Sequence, residues 1–328
     1  MPDLANHATG AMVAIRAAVR RELENFSAGE LILVACSGGA DSLALAFAIS
    51  REAPKLALRT IALTIDHQLQ SGSAEQASKV GEQCLSFGIN EVKFHQVKVE
   101  VIDGMEASAR RARYGALDKV SQEYGAAAIF LGHTRDDQAE TVLLGLARGS
   151  GTRSLAGMAP QNGKYLRPLL QVTRSQTVAA CQEEKIIFWE DPHNVDPRYL
   201  RVRVRHELLP HLEEVIGPGV AAALARSAQI LRDDADALDS WADREFQGMD
   251  WRSLEIQRLA QMPRALRSRL IRRAIYATGA PPGSISAEHV SAIEAFFSDW
   301  RGQGEVSLPG GVKVSRKSGR LSLSTPTR

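Results

Sequence analysis

The chain has 328 residues, of which 44% are hydrophobic and 24% charged, and its formal net charge is +2. That length predicts two domains with true cores, and so small a net charge requires any nucleic-acid surface to come from local clusters of Lys and Arg. Three scattered cysteines, Cys36, Cys84 and Cys181, form no CxxC pair, which speaks against zinc, iron–sulfur and disulfide frameworks and suits a reducing cytoplasm. The N-terminus lacks the basic start and continuous apolar core of a secretory signal, and no run of about 18 apolar residues predicts a membrane span.

Residues 11–25 place Met12, Val13, Ile15, Ala18, Val19 and Leu23 at helical spacing. LILVAC (31–36) is a short apolar run that predicts a strand buried on both faces, followed by a Gly turn and a helix from Asp41 to about Ser50. LRTIALTID (58–66), EVKFHQVKV (91–99) and AAAIFLG (126–132) read as further strands, with helices over 73–88, 106–124 and 136–147. This alternation predicts βαβ units and an α/β doubly wound parallel sheet. Residues 172–185 look helical, whereas 189–210, with three prolines and much charge, look like loop. IGPG (216–219) reads as a linker, placing a first domain at 1–216 and a second, smaller, mostly helical one at 217–328. The second domain has helices expected over 220–245, 262–277 and 286–298, and then two or three short strands around a Gly-Gly turn.

The segment Ser37-Gly38-Gly39-Ala40-Asp41-Ser42 joins a strand to a helix. Two glycines let the backbone approach a ligand, and the helix N-terminus offers unpaired N–H groups to phosphate. No Walker G-x-x-x-x-G-K-[ST] pattern is present. A carboxylate at Asp41 would repel phosphates unless a cation lay between them, so the pairing implies Mg²⁺, a hard, oxygen-seeking ion. The plainer reading is that Asp41 caps its helix and the glycines make a tight turn.

SGGADS resembles the PP-loop of ATP pyrophosphatases, which cleave ATP between its α- and β-phosphates and adenylate a substrate. Further motifs make the chain similar to the tRNA(Ile)-lysidine synthetase family. They are Asp66-His67, the run Ala109 to Tyr114 (ARRARY), and the run Leu131 to Thr141 (LGHTRDDQAET). Arg148-Gly149-Ser150-Gly151, Arg167-Pro168-Leu169-Leu170, and Glu190-Asp191-Pro192 with Asn194 and Asp196 complete the set. The likeness is strong over about residues 30–212. Three positions depart from the family pattern: Gln68 and Gln70, where Gln68-Leu69-Gln70 stands for Gly-Leu-Arg, and Val202, which stands for Asn.

The resemblance implies catalytic roles for Asp41, Arg113 and Asp137. It implies ATP binding by Ser37, Gly38, Gly39, Ala40, Asp41, Ser42, Asp66 and His133, with Mg²⁺ held by Asp41 and Asp137. ATP, free L-lysine and tRNA(Ile) with a CAU anticodon are the implied ligands; no membrane or protein partner is indicated. Candidates for tRNA contact are Arg148 and Arg153 in the Gly-rich loop, Arg201, Arg203 and Arg205 in a dense basic stretch, and Arg269 and Arg273 on an arginine-rich helix. Each also has a structural reading: acidic residues favour helix N-termini, and basic rows often form a solvated face.

Overall fold

A computed structural model of the chain describes residues 10–66, 72–97, 104–149, 151–191 and 195–325. His67, Gln68, Leu69, Gln70, Ser150, Pro192 and Asn194 lie outside these residues. The first unit alternates helix and strand: α1 (Ala11–Leu23), β1 (Leu31–Ala35), α2 (Ala40–Glu52), β2 (Arg59–Asp66), α3 (Ser73–Phe87), β3 (Glu91–Gln96), α4 (Met105–Tyr124), β4 (Ala128–Phe130) and α5 (Arg135–Ala147). A helical turn α6 (Thr152–Leu155), a hairpin of β5 (Gln161–Asn162) and β6 (Tyr165–Leu166), and α7 (Arg174–Glu183) follow.

The sheet runs β3-β2-β1-β4-β6-β5, parallel throughout except where β5 pairs antiparallel to β6 at the edge. The β5–β6 hairpin, only two residues per strand, carried no periodic signal in the sequence. Alternation along β1 explains the two-sided burial. Ile32 and Val34 join one core with residues of α1, α2 and α7, while Leu31, Leu33 and Ala35 join another with Leu117 and Val120 of α4. Helices on both faces make the sheet doubly wound, as its pattern predicts. Cys36, Cys84 and Cys181 are all buried and unbridged in the first of these cores.

The stretch 189–210, expected as loop, is helical from Leu200 onward. Here α8 (Leu200–Arg203) passes through a π-helical turn, Val204–Leu208, into α9 (Leu209–Ile216). Val204 and Leu209 pack with Ala139 and Leu144 of α5, and this burial outweighs the polar composition. Pro210 has no N–H to give the carbonyl four residues back, and a π turn relieves such a break in the ladder.

The second unit contains most of α10 (Val220–Phe246), then β7 (Ser253–Glu255), α11 (Ile256–Ala260), α12 (Arg264–Thr278), α13 (Ala287–Ser298), β8 (Val306–Ser307), β9 (Lys313–Lys317) and β10 (Arg320–Ser324). Its four strands form an antiparallel sheet, β7-β10-β9-β8, and a turn at Pro309–Gly311 contains the Gly-Gly pair. Leu270, Ile271, Ala274 and Ile275 of α12 meet Val314, Leu321 and Leu323 in its core. Packing divides the chain into Met1–Ser150 with Ser154–Gln229, and Gly151–Arg153 with Ile230–Arg328. The division falls inside α10, thirteen residues past the IGPG boundary read from sequence. No described helix is long and apolar enough to cross a membrane.

Candidate active site

In a doubly wound sheet, ligands bind beyond the carboxyl ends of the strands where the strand order diverges. Here that point lies between β1 and β4, and the segments after these two strands meet closely. A Cβ on Gly132 would lie 3.0 Å from the Asp41 carbonyl oxygen and 3.1 Å from Ser42 Cα, so only glycine permits this approach of the two backbones. The Ser37–Ser42 turn is shaped from within. Gly38 has φ of +87°, and a Cβ there would come within 2.6 Å of Val80 Cγ2. The Ser42 hydroxyl accepts from the Ser37 N–H at 3.1 Å and donates to the Gly39 carbonyl at 3.0 Å. Ser42 is therefore engaged in holding the turn, while Ser37 is exposed and Gly39 and Ala40 begin α2.

Gly39, not Asp41, occupies the N-cap of α2, so the capping explanation of Asp41 does not apply. Its carboxylate instead accepts from Arg174 Nη1 at 3.0 Å and from the Thr177 hydroxyl, both on α7. Burial pushes the Asp41 carboxyl up; Arg174 and Thr177 counter it, and the charge of Asp137 adds to it. Asp136 receives the backbone N–H of Arg174 at 2.9 Å, so two carboxylates grip the start of α7. Arg174 and Thr177 were missed in the sequence; their one signal is an Arg and a hydroxyl one turn apart at a helix start.

Asp137 has a structural role that its sequence position foretold. Its Oδ2 accepts from the Thr134 N–H at 2.8 Å and hydroxyl at 3.0 Å, closing a capping box on α5. Its Oδ1 accepts from Arg205 Nη2 at 2.9 Å, and Arg205 Nε reaches Glu140 Oε1 at 2.5 Å. Glu140 is fully buried, and Arg201 Nε stands 4.0 Å from its second oxygen. Arg205, read in sequence as part of a basic track, thus points inward at two carboxylates. Burial would raise the Asp137 carboxyl, but the charge of Arg205 and the two Thr134 bonds hold it below its ordinary value.

His133 begins the segment after β4. Burial and the neighbouring Arg113 and Arg167 push its pKa down to about 3, so the imidazole is neutral near physiological pH. Its buried Nδ1 has no partner. Arg113, on α4, makes no hydrogen bond or ion pair among the described residues and bears its charge against burial and the nearby Arg110. Asp66 ends β2, buried, its carbonyl accepting from Val97.

The remaining arginines divide by environment. Arg148 is exposed at the end of α5, and Arg203 is exposed with Glu207 at 3.8 Å. Within the second unit, Arg153 pairs with Asp236 and Asp239; Arg269 Nε donates to Asp239 at 2.9 Å and Arg273 Nε to Asp243 at 2.6 Å. These three guanidinium groups are thus balanced by a row of α10 aspartates.

The donor chemistry of Asp41 and Asp137 fits a hard cation. Both are carboxylates, each close enough to act on the other's charge, and Asp41 is half-buried with a carboxyl that its partners do not bring back to its ordinary value. Among the described residues no third acidic, histidine or cysteine side chain completes a metal set, so an ion held here would need oxygens from outside the protein.

A parallel sheet with a glycine turn and an acidic first helical turn at its switch point is the architecture of an α/β phosphate-binding protein, and the family match makes the class that of PP-loop ATP-using enzymes. Residues 13–212 match the PP-loop domain family, and residues 254–322 match the TilS substrate binding domain. The tRNA(Ile)-lysidine synthase of Thermobifida fusca is 53% identical over 94% of this chain and 96% of that protein. That of Streptomyces coelicolor is 51% identical over 89% and 85%, and that of Mycobacterium bovis 43% over 86% of each. The chain belongs to the tRNA(Ile)-lysidine synthase family, and is an ATP-using ligase. Among solved structures, the U34-tRNA thiolase NcsA from Methanococcus maripaludis is similar in fold, with a TM-score of 0.57 at 18% identity, covering 68% of this chain and 80% of that one.

Proposed function

We propose that the chain converts the wobble cytidine of tRNA(Ile) with a CAU anticodon to lysidine in the cytoplasm. The cytidine carbonyl attacks the α-phosphate of ATP and pyrophosphate leaves. Free L-lysine then displaces AMP through its neutral amine, which gives up a proton. The observation that carries this reading is the contact of the Asp41 turn with the Gly132–Asp137 segment, in a chain of this family.

The site's own groups have tasks suited to these steps. The Gly38–Gly39 turn and α2 N-terminus present N–H groups to phosphate. Arg113, with no hydrogen bond or ion pair among the described residues, has a guanidinium suited to the charge that builds on the α-phosphate. Asp41 and Asp137 would hold Mg²⁺, which would supply charge neutralisation on the phosphates. Asp137, held well ionised, suits metal or ammonium binding better than proton abstraction. His133, neutral, offers the nucleotide a hydrogen bond without added charge. Asp66, at the end of β2, is assigned to the nucleotide by its place at the sheet's carboxyl edge.

Arg148, Arg201 and Arg203 are assigned to the tRNA backbone, together with Arg153, Arg269 and Arg273, which reach phosphate by exchange with the α10 aspartates. Arg205 is assigned to positioning Asp137 and Glu140. A trap tests the two-step order. With ATP labelled at the α-phosphate and lysine withheld, label accumulates on tRNA(Ile), and a lysine chase releases it as AMP. Label that reaches AMP only when lysine is present, with none on tRNA beforehand, contradicts the adenylated intermediate.

A further inference from the structure

The first half of α4 and the strand end at Leu166 bring together a second group of cations apart from the Asp41 turn. Arg167 is 94% buried: Nη1 donates to the Ala159 carbonyl at 2.9 Å, Nη2 to the Tyr114 hydroxyl at 3.4 Å, and its buried Nε has no partner. Arg110 lies over the Tyr114 ring at 4.8 Å and donates to the same hydroxyl at 3.3 Å. The ring is fixed from its other neighbour, Tyr165, with centroids 5.0 Å apart, and Tyr165 is itself anchored by a 2.7 Å bond to Asp118.

A phenol has one proton and two lone pairs. Both lone pairs of Tyr114 are taken by guanidinium donors, so its proton has no acceptor among the described residues. Neither Arg110, Arg113 nor Arg167 is paired with a carboxylate there. Two guanidinium groups on one hydroxyl, with Arg113 close enough for its charge to act there and the orphaned Arg167 Nε and His133 Nδ1 nearby, lack an anion among the described residues.

We propose that Tyr114, aimed by Arg110 and Arg167, donates its hydroxyl proton as a hydrogen bond to a phosphate oxygen of the bound substrates. The arginine charges also make the phenol a better donor, lowering its pKa despite burial. Arg167 is a positioning residue: it acts through the hydroxyl. The phosphate belongs either to ATP or to the RNA backbone, and the chemistry is the same for both. The inference rests on the proposed function only in that the site handles phosphates.

The test is calorimetric binding to the full chain of two probes, each alone: MgATP, and an anticodon stem–loop of tRNA(Ile). Tyr114→Phe keeps the ring stack and removes the donor. The result expected is about 10-fold weaker binding of one probe, the other unchanged, at an unaltered melting temperature. Loss on ATP assigns the phosphate to the nucleotide; loss on the stem–loop assigns it to RNA. Arg167→Lys, which keeps charge but not the fork, weakens the same probe to a lesser degree. Unchanged binding of both probes overturns the inference, as does equal weakening of both with a lower melting temperature. Neither readout depends on lysidine being formed, so failure here is separable from failure of the reaction assigned above.

Discussion

Burial lifts the Asp41 carboxyl above its ordinary value, against the pull of Arg174 and Thr177. A raised native value means the folded chain binds that proton more tightly than the unfolded chain. The ionised carboxylate therefore costs stability at every pH above the raised value. Asp41→Asn removes that cost along with the charge. Its expected outcome is a melting temperature no lower than wild type near neutral pH, with turnover reduced by about 100-fold or more. A marked drop in melting temperature would make Asp41 structural. Arg205 behaves oppositely. Arg205→Ala leaves Asp137 and the fully buried Glu140 without their partner, at a cost of about 3–5 kcal/mol, read by urea unfolding. A loss near zero would show that the two carboxylates do not depend on it. Of these residues, Asp41 and Asp137 were visible in the sequence because a carboxylate in a phosphate turn and an acidic helix start each carry a local signal. Arg174 and Thr177 were not visible, and Arg205 was read as facing RNA, because their partners lie 65 to 136 residues away in the chain and only folding joins them.

The contact of the β4 end with the start of α2 is made by two stretches of backbone, with Gly132 between them. Gly132→Ala pushes a methyl to about 3 Å from the Asp41 carbonyl, so kcat falls while binding of the tRNA stem–loop holds. Loss of stem–loop binding with kcat intact would contradict that placement. The same α2 ends in Glu52, buried and bonded by Arg16 and Arg20 of α1 and by Lys55. Burial opposes its charge, yet these three partners bring its pKa from 4.5 down to about 2. A depressed native value contributes stability above the ordinary one and loses it as pH falls through the native one. Wild type thus loses stability between pH 4.5 and about 2, and Glu52→Gln, weaker at neutral pH, shows a flatter profile there. A profile parallel to wild type would contradict this reading. Long elements such as β1, α2 and α4 were legible because burial repeats along them. The helix through Val204–Leu208 was not: its polar composition and Pro210 read as loop, and its apolar contacts with α5 are tertiary.

Over the whole molecule, the proposed RNA contacts depend on how the second unit's arginines are balanced by acids. Asp239 engages Arg153, Arg269 and Arg273 at once. Asp239→Asn frees part of that charge, so tRNA binding tightens at low salt and its dependence on salt steepens by about one phosphate contact. An unchanged slope would place the RNA elsewhere. The sequence displayed these arginines but not the α10 aspartates that face them, since a row at helical spacing looks alike whether it meets solvent, acid or RNA. The two-part organisation was legible from the change in pattern after Gly219. The division inside the continuous α10 was not, because nothing in a helix's own sequence marks where its neighbours change. The central claim joins the phosphate site to its acceptor, and one measurement bears on both. The chain is incubated with ATP, Mg²⁺, labelled lysine and tRNA(Ile) carrying CAU, and the wobble nucleoside is then isolated. Label is expected in that nucleoside only when ATP is present, and none is expected with Asp41→Asn. Label absent under conditions where the Thermobifida fusca relative transfers it, or present without ATP, would contradict the account.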